Sequence, residues 1–279
     1  VEPKKPSITG YDFVGWVYEG SGMAPETMPA QNLTATGRFV AKSANYKIVY
    51  HMETLGSGST HTNEYEINDS LTQTLNSKQG EKIKAYVNKE GELSDNEIEG
   101  ISVDGFSLKG VVVTYGSAAN SGEEQTDNLP GEAVCDSNGY VEGTVEYASN
   151  NTLYINYYYT RNEYQLTLEV WKDSREDAGN KQYSKSQTFQ YGQDIAAIVA
   201  SYKQDSYYID ENGVSKLDDF TMPSGYKFAS YTDFSTGNAP SVMPAGNVTV
   251  TRDIVAADKV KYYINVYFEK SEIGQYDRM

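Results

Sequence analysis

The chain has 279 residues, enough for two or three ordinary domains, and 38% of its residues are apolar, so packed cores are expected. Its 23 Lys and Arg against 39 Asp and Glu give a net charge of −16, and such a surface repels phosphate backbones and anionic headgroups. We therefore expect no nucleic-acid partner. Because no window approaches 18 apolar residues, we also expect no membrane insertion by this segment.

Cysteine and histidine are too scarce for an intrachain disulfide or a zinc cluster. Cys135 is the only cysteine, and His51 and His61 are the only histidines. Cys135 lies in a Gly-, Ser-, Asn- and Glu-rich stretch without a basic neighbour that would lower its pKa, so we interpret it as an inert thiol. We predict no metal site and no cofactor.

Tyrosine is unusually common, with 25 Tyr against 8 Phe and 2 Trp. A tyrosine fills a half-buried strand position while its hydroxyl stays in water. This composition, with one cysteine and many Thr, Ser and Asn, favours a β-rich extracellular protein.

One sequence element occurs twice. Its first copy is Gly10–Trp16 followed by Met28–Thr34, and its second is Gly225–Tyr231 followed by Met243–Thr249. The glycine and the methionine are 28 − 10 = 243 − 225 = 18 positions apart in both copies, which indicates a repeated structural unit.

Residues 1–44 have the pattern of the closing strands of such a unit. Tyr11 and Phe13 begin one strand, Met28–Ala30 predicts a tight turn, and apolar residues alternate with polar ones from Leu33 to Phe39. Gly15 suits either a bulge that turns Trp16 to the side of Phe13 or an ordinary pleat.

Three further segments share the alternation of one strand face: Tyr46–Met52, Tyr164–Val170 and Tyr262–Phe268. They start 164 − 46 = 118 and 262 − 164 = 98 residues apart, a spacing typical of tandem domains. A glycine and then a helical spacing follow each of the first two starts. The two apolar stripes are Ile83, Tyr86, Val87 and Ile195, Ile198, Val199, Tyr202.

The unit that starts at Tyr164 continues with a second strand around Lys185–Gln190, a helix at 194 and strands at 226 and 248. One amphipathic helix must bury its stripe on a sheet, which gives a ββαββ layout of the β-grasp kind. In the preceding unit, a strand at Val103–Leu108 and a strand at Leu153–Tyr159 flank an acidic insertion at about 116–139, and Thr160–Glu163 is a short linker.

The predicted fold class is α+β and β-rich, with tandem β-grasp-like (ββαββ) repeats arranged as an elongated string. The predicted divisions are 1–44, the closing half of a repeat; 45–162, a repeat with the acidic insertion; 163–257, a complete repeat; and 258–279, the opening strand of a further repeat.

Residues 1–44 and 163–257 resemble the Listeria/Bacteroides repeat, the B-type repeat of internalins and other bacterial surface proteins. The resemblance rests on Gly10, Tyr11, Phe13, Gly15, Trp16, Met28, Pro29, Ala30 and Leu33, and on Gly225, Tyr226, Phe228, Met243, Pro244, Ala245 and Val248. The unit from Tyr46 to Arg161 is similar to the MucBP-type repeat through Tyr46–Tyr50, Gly143–Val145 and Tyr157–Asn162. These resemblances imply a β-grasp-like fold and a secreted, wall-attached protein of a Gram-positive bacterium, in a family without catalytic residues.

Three constellations suggest chemistry, and each also has an ordinary structural interpretation. His51 lies in the polar phase of a strand and His61 in a Gly/Ser/Thr-rich hairpin, and neither has a hydrolase motif around it. Asp210–Gly213 has the carboxylates and glycine of a calcium loop but not its alternation, so a plain turn is favoured. Lys47 could form an isopeptide crosslink with Asn156 or Asn265. The ordinary interpretation is that Lys and Asn are common on the solvent-exposed faces of strands.

We interpret the chain as a non-catalytic stalk or adhesion module on the bacterial cell wall, with no ligand-binding residues assigned. One alternative is a glycan- or mucin-binding module whose exposed tyrosines, at Tyr157–Tyr159 or Tyr207–Tyr208, stack on sugars. Another is an accessory region of a larger secreted enzyme. A host or cell-surface protein or glycan is the expected class of partner.

The two ends are expected to complete one repeat between them, either across neighbouring molecules, as self-association through the terminal strands, or within one molecule. Residues 1–44 and 258–279 hold complementary parts of a repeat, and an apolar strand without its partner pairs with whatever strand is at hand. The Tyr262 strand would lie beside Leu33–Phe39.

The string-of-domains hypothesis predicts the size of the particle. A compact globule of this length has a radius of gyration of about 19 Å. We expect small-angle X-ray scattering of the monomer to give a clearly larger value, and a value near 19 Å would contradict the hypothesis.

Overall fold

The computed structural model describes residues 3–20, 22–27, 29–56, 60–117, 139–148, 150–233, 240–257, 264–269 and 276–278. The described chain is strand-rich, as predicted, and its strands form several small sheets. It divides into two compact units. Unit 1 comprises residues 1–163 and 190–192, and unit 2 comprises residues 164–189 and 193–279.

Unit 1 is built from strands alone in its described part. They are β1 (Tyr11–Tyr18), β2 (Ala35–Ala41), β3 (Ser43–Glu53), β4 (Tyr65–Ile67), β5 (Gln73–Lys78), β6 (Lys82–Tyr86), β7 (Glu97–Glu99), β8 (Phe106–Gly116), β9 (Tyr140–Thr144) and β10 (Thr152–Arg161).

The main sheet of unit 1 has β3 and β10 at its centre. These two strands run parallel, from Leu153 opposite Tyr46 to Tyr159 opposite Met52. On the far side of β10 lies β8, antiparallel to it, and on the far side of β3 lie β4 and β5, which pair with its two ends. We count β4 and β5 as one interrupted strand. The order across the sheet is then β4/β5, β3, β10 and β8, which are the second, first, last and third strands of this sheet along the chain.

A small second sheet, ordered β7-β6-β9, covers one face of the main sheet. The core between the two sheets contains Ile83 and Ala85 from β6 and the inward tyrosines Tyr50, Tyr157 and Tyr159. Parallel neighbouring strands need a long crossover connection. The chain between β3 and β10 provides this connection, and its strands β6, β7 and β9 also cover one face of the main sheet.

The helix predicted after Gly80 is wrong, because residues 82–86 form β6. Ile83 and Ala85 are buried while Lys82, Lys84 and Tyr86 are not, so the chain alternates with the period of a strand. The helical spacing counted Ile83, Tyr86 and Val87 and overlooked the small buried Ala85.

Unit 2 contains one α-helix in its described part, with strands before and after it. These elements are β11 (Glu163–Lys172, whose first residue belongs to unit 1), β12 (Lys181–Gln190, whose last residue belongs to unit 1), α1 (Ala196–Tyr202), β13 (Tyr226–Asp233), β14 (Val248–Ala256), β15 (Tyr267–Glu269) and β16 (Tyr276–Arg278). Short 3₁₀ turns occupy Ala178–Asn180 and Asp205–Tyr207.

The predicted order strand, strand, helix, strand, strand is confirmed for β11 to β14. The sheet order is β12-β11-β14-β13, with β11 parallel to β14 from Leu166 opposite Val248 to Lys172 opposite Ile254. This is again second, first, last, third. The main sheet of unit 1 and this sheet thus share one topology, although a helix lies in one crossover and a three-stranded sheet in the other.

The helix α1 buries the predicted stripe on the sheet of unit 2. Ile195, Val199 and Tyr202 are buried with Leu166, Leu168 and Val250, while Ile198 is only partly buried at the rim. An apolar stripe of this width stabilises a two-turn helix that would be marginal in isolation.

The strands β1 and β2 form a two-stranded antiparallel sheet. Its register shifts between Phe13 and Gly15, and Gly15 has a φ of +146°, which a residue with a Cβ rarely adopts. The rings of Phe13 and Trp16 are 5.3 Å apart, so the bulge interpretation is confirmed. Met28, in the predicted turn, lies outside the described residues.

The strand predicted at Tyr262–Phe268 is only partly borne out. Tyr262 and Tyr263 lie outside the described residues, Ile264–Val266 are exposed and not in a strand, and β15 begins at Tyr267. No helix of the described chain is long and apolar enough to cross a membrane.

The helix packing predicts a contrast between two substitutions. Val199→Asp buries an unpaired carboxylate and should destabilise unit 2 by several kcal/mol. Ala197→Asp, on the exposed face of the same helix, should change stability by less than about 0.5 kcal/mol. Urea unfolding followed by circular dichroism measures both, and equal effects would contradict the packing of α1.

Candidate functional site

A cluster of buried polar side chains lies on the second face of the main sheet of unit 1, opposite the face that β7-β6-β9 covers. Strand alternation places His51 and Glu53 of β3 and Asn156 of β10 on this face, and all three side chains are buried. The sequence predicts that this face is exposed to solvent, because polar residues alternate with apolar ones along β3. Both faces of β3 and β10 are in fact buried, so the polar groups must find partners within the protein.

Asn156 connects His51 to Thr114 of β8. The Oδ1 atom of Asn156 is 2.9 Å from Nε2 of His51, and its Nδ2 atom donates to Oγ1 of Thr114 at 3.0 Å. An amide oxygen only accepts, so Nε2 of His51 carries the proton and Nδ1 is the unprotonated nitrogen. Nδ1 is buried and has no hydrogen-bond partner in the described chain.

His51 also stacks on Tyr158, with ring centroids 4.3 Å apart, and Tyr158 meets the edge of Tyr65. Burial lowers the pKa of His51, and the hydrogen bond to Asn156 offsets this only in part. His51 is therefore neutral at pH 7, in a layer of aromatic rings.

Glu53 is the second buried group. Burial raises the pKa of its carboxyl, but hydrogen bonds from His61 and from the backbone amides of Arg161 and Asn63 outweigh burial, and the net pKa is lowered. Nδ1 of His61 is 2.8 Å from Oε2 of Glu53, and the Arg161 amide donates to the same oxygen at 2.9 Å. The guanidinium Nε of Arg161 donates to the backbone oxygen of Glu53 at 2.7 Å.

These contacts hold strands together and do not form a nucleophile with its base. His51 touches an amide rather than a hydroxyl or thiol, and it is inaccessible to a substrate. His61 forms a histidine and carboxylate pair with Glu53, and its Nε2 lies 3.9 Å from Oε1 of a second carboxylate, Glu163. A depression of about 250 Å³ beside Glu53 is lined by Glu66, Asp69 and Arg161 among others.

The crosslink hypothesis does not match these contacts. The Asn156 amide is engaged by His51 and Thr114, whereas Nζ of Lys47 lies 5.8 Å from the centre of the Tyr154 ring. Asn265 is exposed and outside the strands.

The turn interpretation of Asp210–Gly213 matches the structure. Oδ1 of Asp210 accepts from the amides of Asn212 and Val214, and Gly213 has a φ of +77°. In the described ranges, no three His, Cys, Asp or Glu side chains lie close enough to hold a metal ion. Cys135 lies outside the described residues.

The tyrosines proposed to stack on sugars are packed inside the protein. Tyr157, Tyr158 and Tyr159 are at most 6% exposed, Tyr208 is fully buried, and Tyr207 is half-buried against Tyr202. The glycan-binding alternative needed these tyrosines to be exposed, although the strand from Leu153 to Tyr159 already has apolar residues on both sides. A strand in the centre of a covered sheet buries both sides.

Glu53 is the residue that sequence reasoning missed. Its partner His61 is eight positions away across a hairpin, and the only available signal was a carboxylate at the end of an apolar strand. No protein-family model matches this chain, and no curated protein matches its sequence.

The buried histidine predicts a pH dependence. Its folded-state pKa lies below 6.5, so the unfolded chain binds an additional proton as the pH falls through 6.5, and the folding stability decreases by at most about 1.4 kcal/mol per pH unit. Glu53 adds a further loss only at lower pH, because its pKa is lowered from 4.5. An NMR titration of the two histidines should show one of them titrating below pH 6.5, and His51→Gln should remove that signal. A His51 pKa at or above 6.5 would contradict the buried neutral assignment.

Proposed function

We propose that this chain is a load-bearing, non-catalytic stalk region of a bacterial surface protein, built from β-grasp-like units. The observation that carries the proposal is the parallel central pair in the larger sheet of each unit, β3 with β10 and β11 with β14.

In a parallel pair, the start of one strand and the end of the other lie at opposite ends of the ladder. A force applied where the chain enters and leaves such a sheet therefore acts along the strands. It loads all the hydrogen bonds of the ladder in shear, so they must fail together. In an antiparallel hairpin pulled at its two ends, the bonds open one after another.

The connection between the two sheets suits the same role. β10 ends at Arg161 and β11 begins at Glu163, so Asn162 is the single residue between the last strand of one sheet and the first strand of the next. Tension passes along the backbone from one ladder directly into the other, without a slack linker to extend first.

The sequence resemblances support the surface location and the β-grasp-like description. The order second, first, last, third, with a parallel central pair, is the arrangement that a ββαββ chain takes when a helix covers one face, and β11 to β14 have this order. In unit 1 the buried His51 binds the side-chain amide of Asn156 on the neighbouring strand, a contact that supports cohesion of the strands.

Pulling the protein from two pairs of attachment points tests the load-bearing role. In a Cys135→Ser chain, cysteines at Glu163 and Val255 pull on opposite ends of the β11 and β14 ladder and load it in shear. Cysteines at Lys172 and Val255 pull on adjacent ends of the same ladder and open it bond by bond.

We expect single-molecule force spectroscopy to show a several-fold higher unfolding force for the first pair than for the second. The same ladder breaks in both cases, so the second pair is the matched control. Equal forces would contradict a load-bearing role for the parallel pair.

A further inference from the structure

Two carboxylates flank the ring of His61, one at each of its nitrogens. Nδ1 is 2.8 Å from Oε2 of Glu53, and Nε2 is 3.9 Å from Oε1 of Glu163. Glu53 ends β3, His61 lies between β3 and β4, and Glu163 begins β11, and all three residues belong to unit 1. The fold therefore brings together groups that are up to 163 − 53 = 110 positions apart in the sequence.

The Glu53 carboxylate determines which nitrogen of His61 carries the proton. Hydrogen bonds lower the pKa of this carboxyl, so it is ionised at neutral pH and can only accept a hydrogen bond. In neutral His61 the proton is therefore on Nδ1, and Nε2 presents its lone pair. The amide nitrogen of Gln190 is also near Nδ1, but at 3.3 Å it is more distant than the carboxylate, and it is uncharged.

Glu53 also holds the ring of His61 in place. Its side chain is fully buried, and it accepts from the backbone amides of Arg161 and Asn63 at 2.9 and 3.3 Å. A histidine that binds a metal ordinarily donates its second N–H to such a carboxylate, which fixes the tautomer and makes the free nitrogen more basic. The pair of Glu53 and His61 has the arrangement of a metal-ligating histidine with its supporting carboxylate.

The gap between His61 and Glu163 suits a cation. Both side chains are 41% exposed, so solvent reaches the gap. Among the described residues, no lysine or arginine forms an ion pair with Glu163. Two electron-pair donors thus lie 3.9 Å apart in a chain whose net charge of −16 attracts cations.

We propose that Nε2 of His61 and Oε1 of Glu163 bind a divalent transition-metal ion, with zinc the best suited, and that Glu53 positions His61 for this. Zinc binds nitrogen and carboxylate oxygen at about 2.1 Å, so two ligands of a tetrahedral zinc ion are about 3.4 Å apart. The exposed carboxylate of Glu163 has to move by roughly 0.5 Å to reach this separation from 3.9 Å. Water molecules complete the coordination.

The types of ligand select the class of metal. Imidazole nitrogen suits zinc, copper and nickel, whereas calcium and magnesium take oxygen ligands. Because the protein supplies two ligands, fewer than the four of a structural zinc site, the ion should exchange with solution. A bound ion would tie the connection between β3 and β4 to the residue at the start of β11 and would add its binding free energy to the stability of unit 1. The proposal does not depend on the load-bearing role.

Calorimetric titration with Zn²⁺ tests the site. A metal-free Cys135→Ser chain is used, because this change removes the only thiol. We expect one strong Zn²⁺ site per chain and its loss in His61→Gln. Glu53→Gln keeps both ligands but weakens the acceptor behind His61, so the affinity should fall about 10- to 100-fold. Glu163→Gln removes a ligand and should weaken binding at least as much.

Glu64→Gln is the matched control. It makes the same change in net charge at an exposed carboxylate outside the cluster, so it should bind Zn²⁺ as the parent does. Glu163 is exposed as well, whereas Glu53 is buried. The comparison of Glu163→Gln with Glu64→Gln therefore tests the site even where Glu53→Gln does not fold.

NMR of the histidine rings locates the ion. The chain has two histidines, and the buried His51 is the internal reference. Zn²⁺ should shift the Nε2 resonance of His61 and leave that of His51 in place, and Ca²⁺ at the same concentration should shift neither. A parent chain without a Zn²⁺ site, an unshifted His61 at saturation, or an equal response to Ca²⁺ would overturn the proposal. So would a Glu163→Gln chain that binds no more weakly than the Glu64→Gln control.

Discussion

The parallel pairing of the first and last strands is the constraint on which the rest of this structure depends. Two neighbouring parallel strands cannot be joined by a tight turn, so the chain must leave the sheet, cover one of its faces and return. In unit 2 the helix α1 provides that cover, and in unit 1 the sheet β7-β6-β9 does. The four-stranded sheet therefore tolerates very different chain segments in its crossover.

The same constraint explains the polar cluster. Because β3 and β10 are central and buried on both faces, every polar side chain on them must be satisfied inside the protein. Asn156 is bound by His51 and Thr114, and the Glu53 carboxylate by His61 and two backbone amides. These bonds connect neighbouring strands and fix their register, since a shift of one residue would bury each polar group without its partner.

The periodicity of apolar residues predicted correctly those elements whose sequence fits only one type of secondary structure. The strands at Tyr46 and Tyr164 and the helix with Ile195, Val199 and Tyr202 have clean periods, and all three are confirmed. The segment from Ile83 to Val87 fits a strand and a helix equally well over five residues, and packing on the main sheet decides between them. The burial of Tyr157 and Tyr159 depends on a covering sheet whose residues are far away in the sequence, so alternation alone cannot show it. Alternation equally does not show that His51 and Glu53, on the other face, are buried.

Hydrogen exchange of the full chain, followed by mass spectrometry or NMR, tests the central role of the parallel pairs most directly. Amides exchange slowest in the part of a domain that opens last. The account predicts the slowest exchange in β3 and β10 of unit 1 and in β11 and β14 of unit 2, with the edge strands β8 and β13 and the helix α1 exchanging earlier. Slower exchange in those edge strands or in α1 than in the central pairs would contradict it.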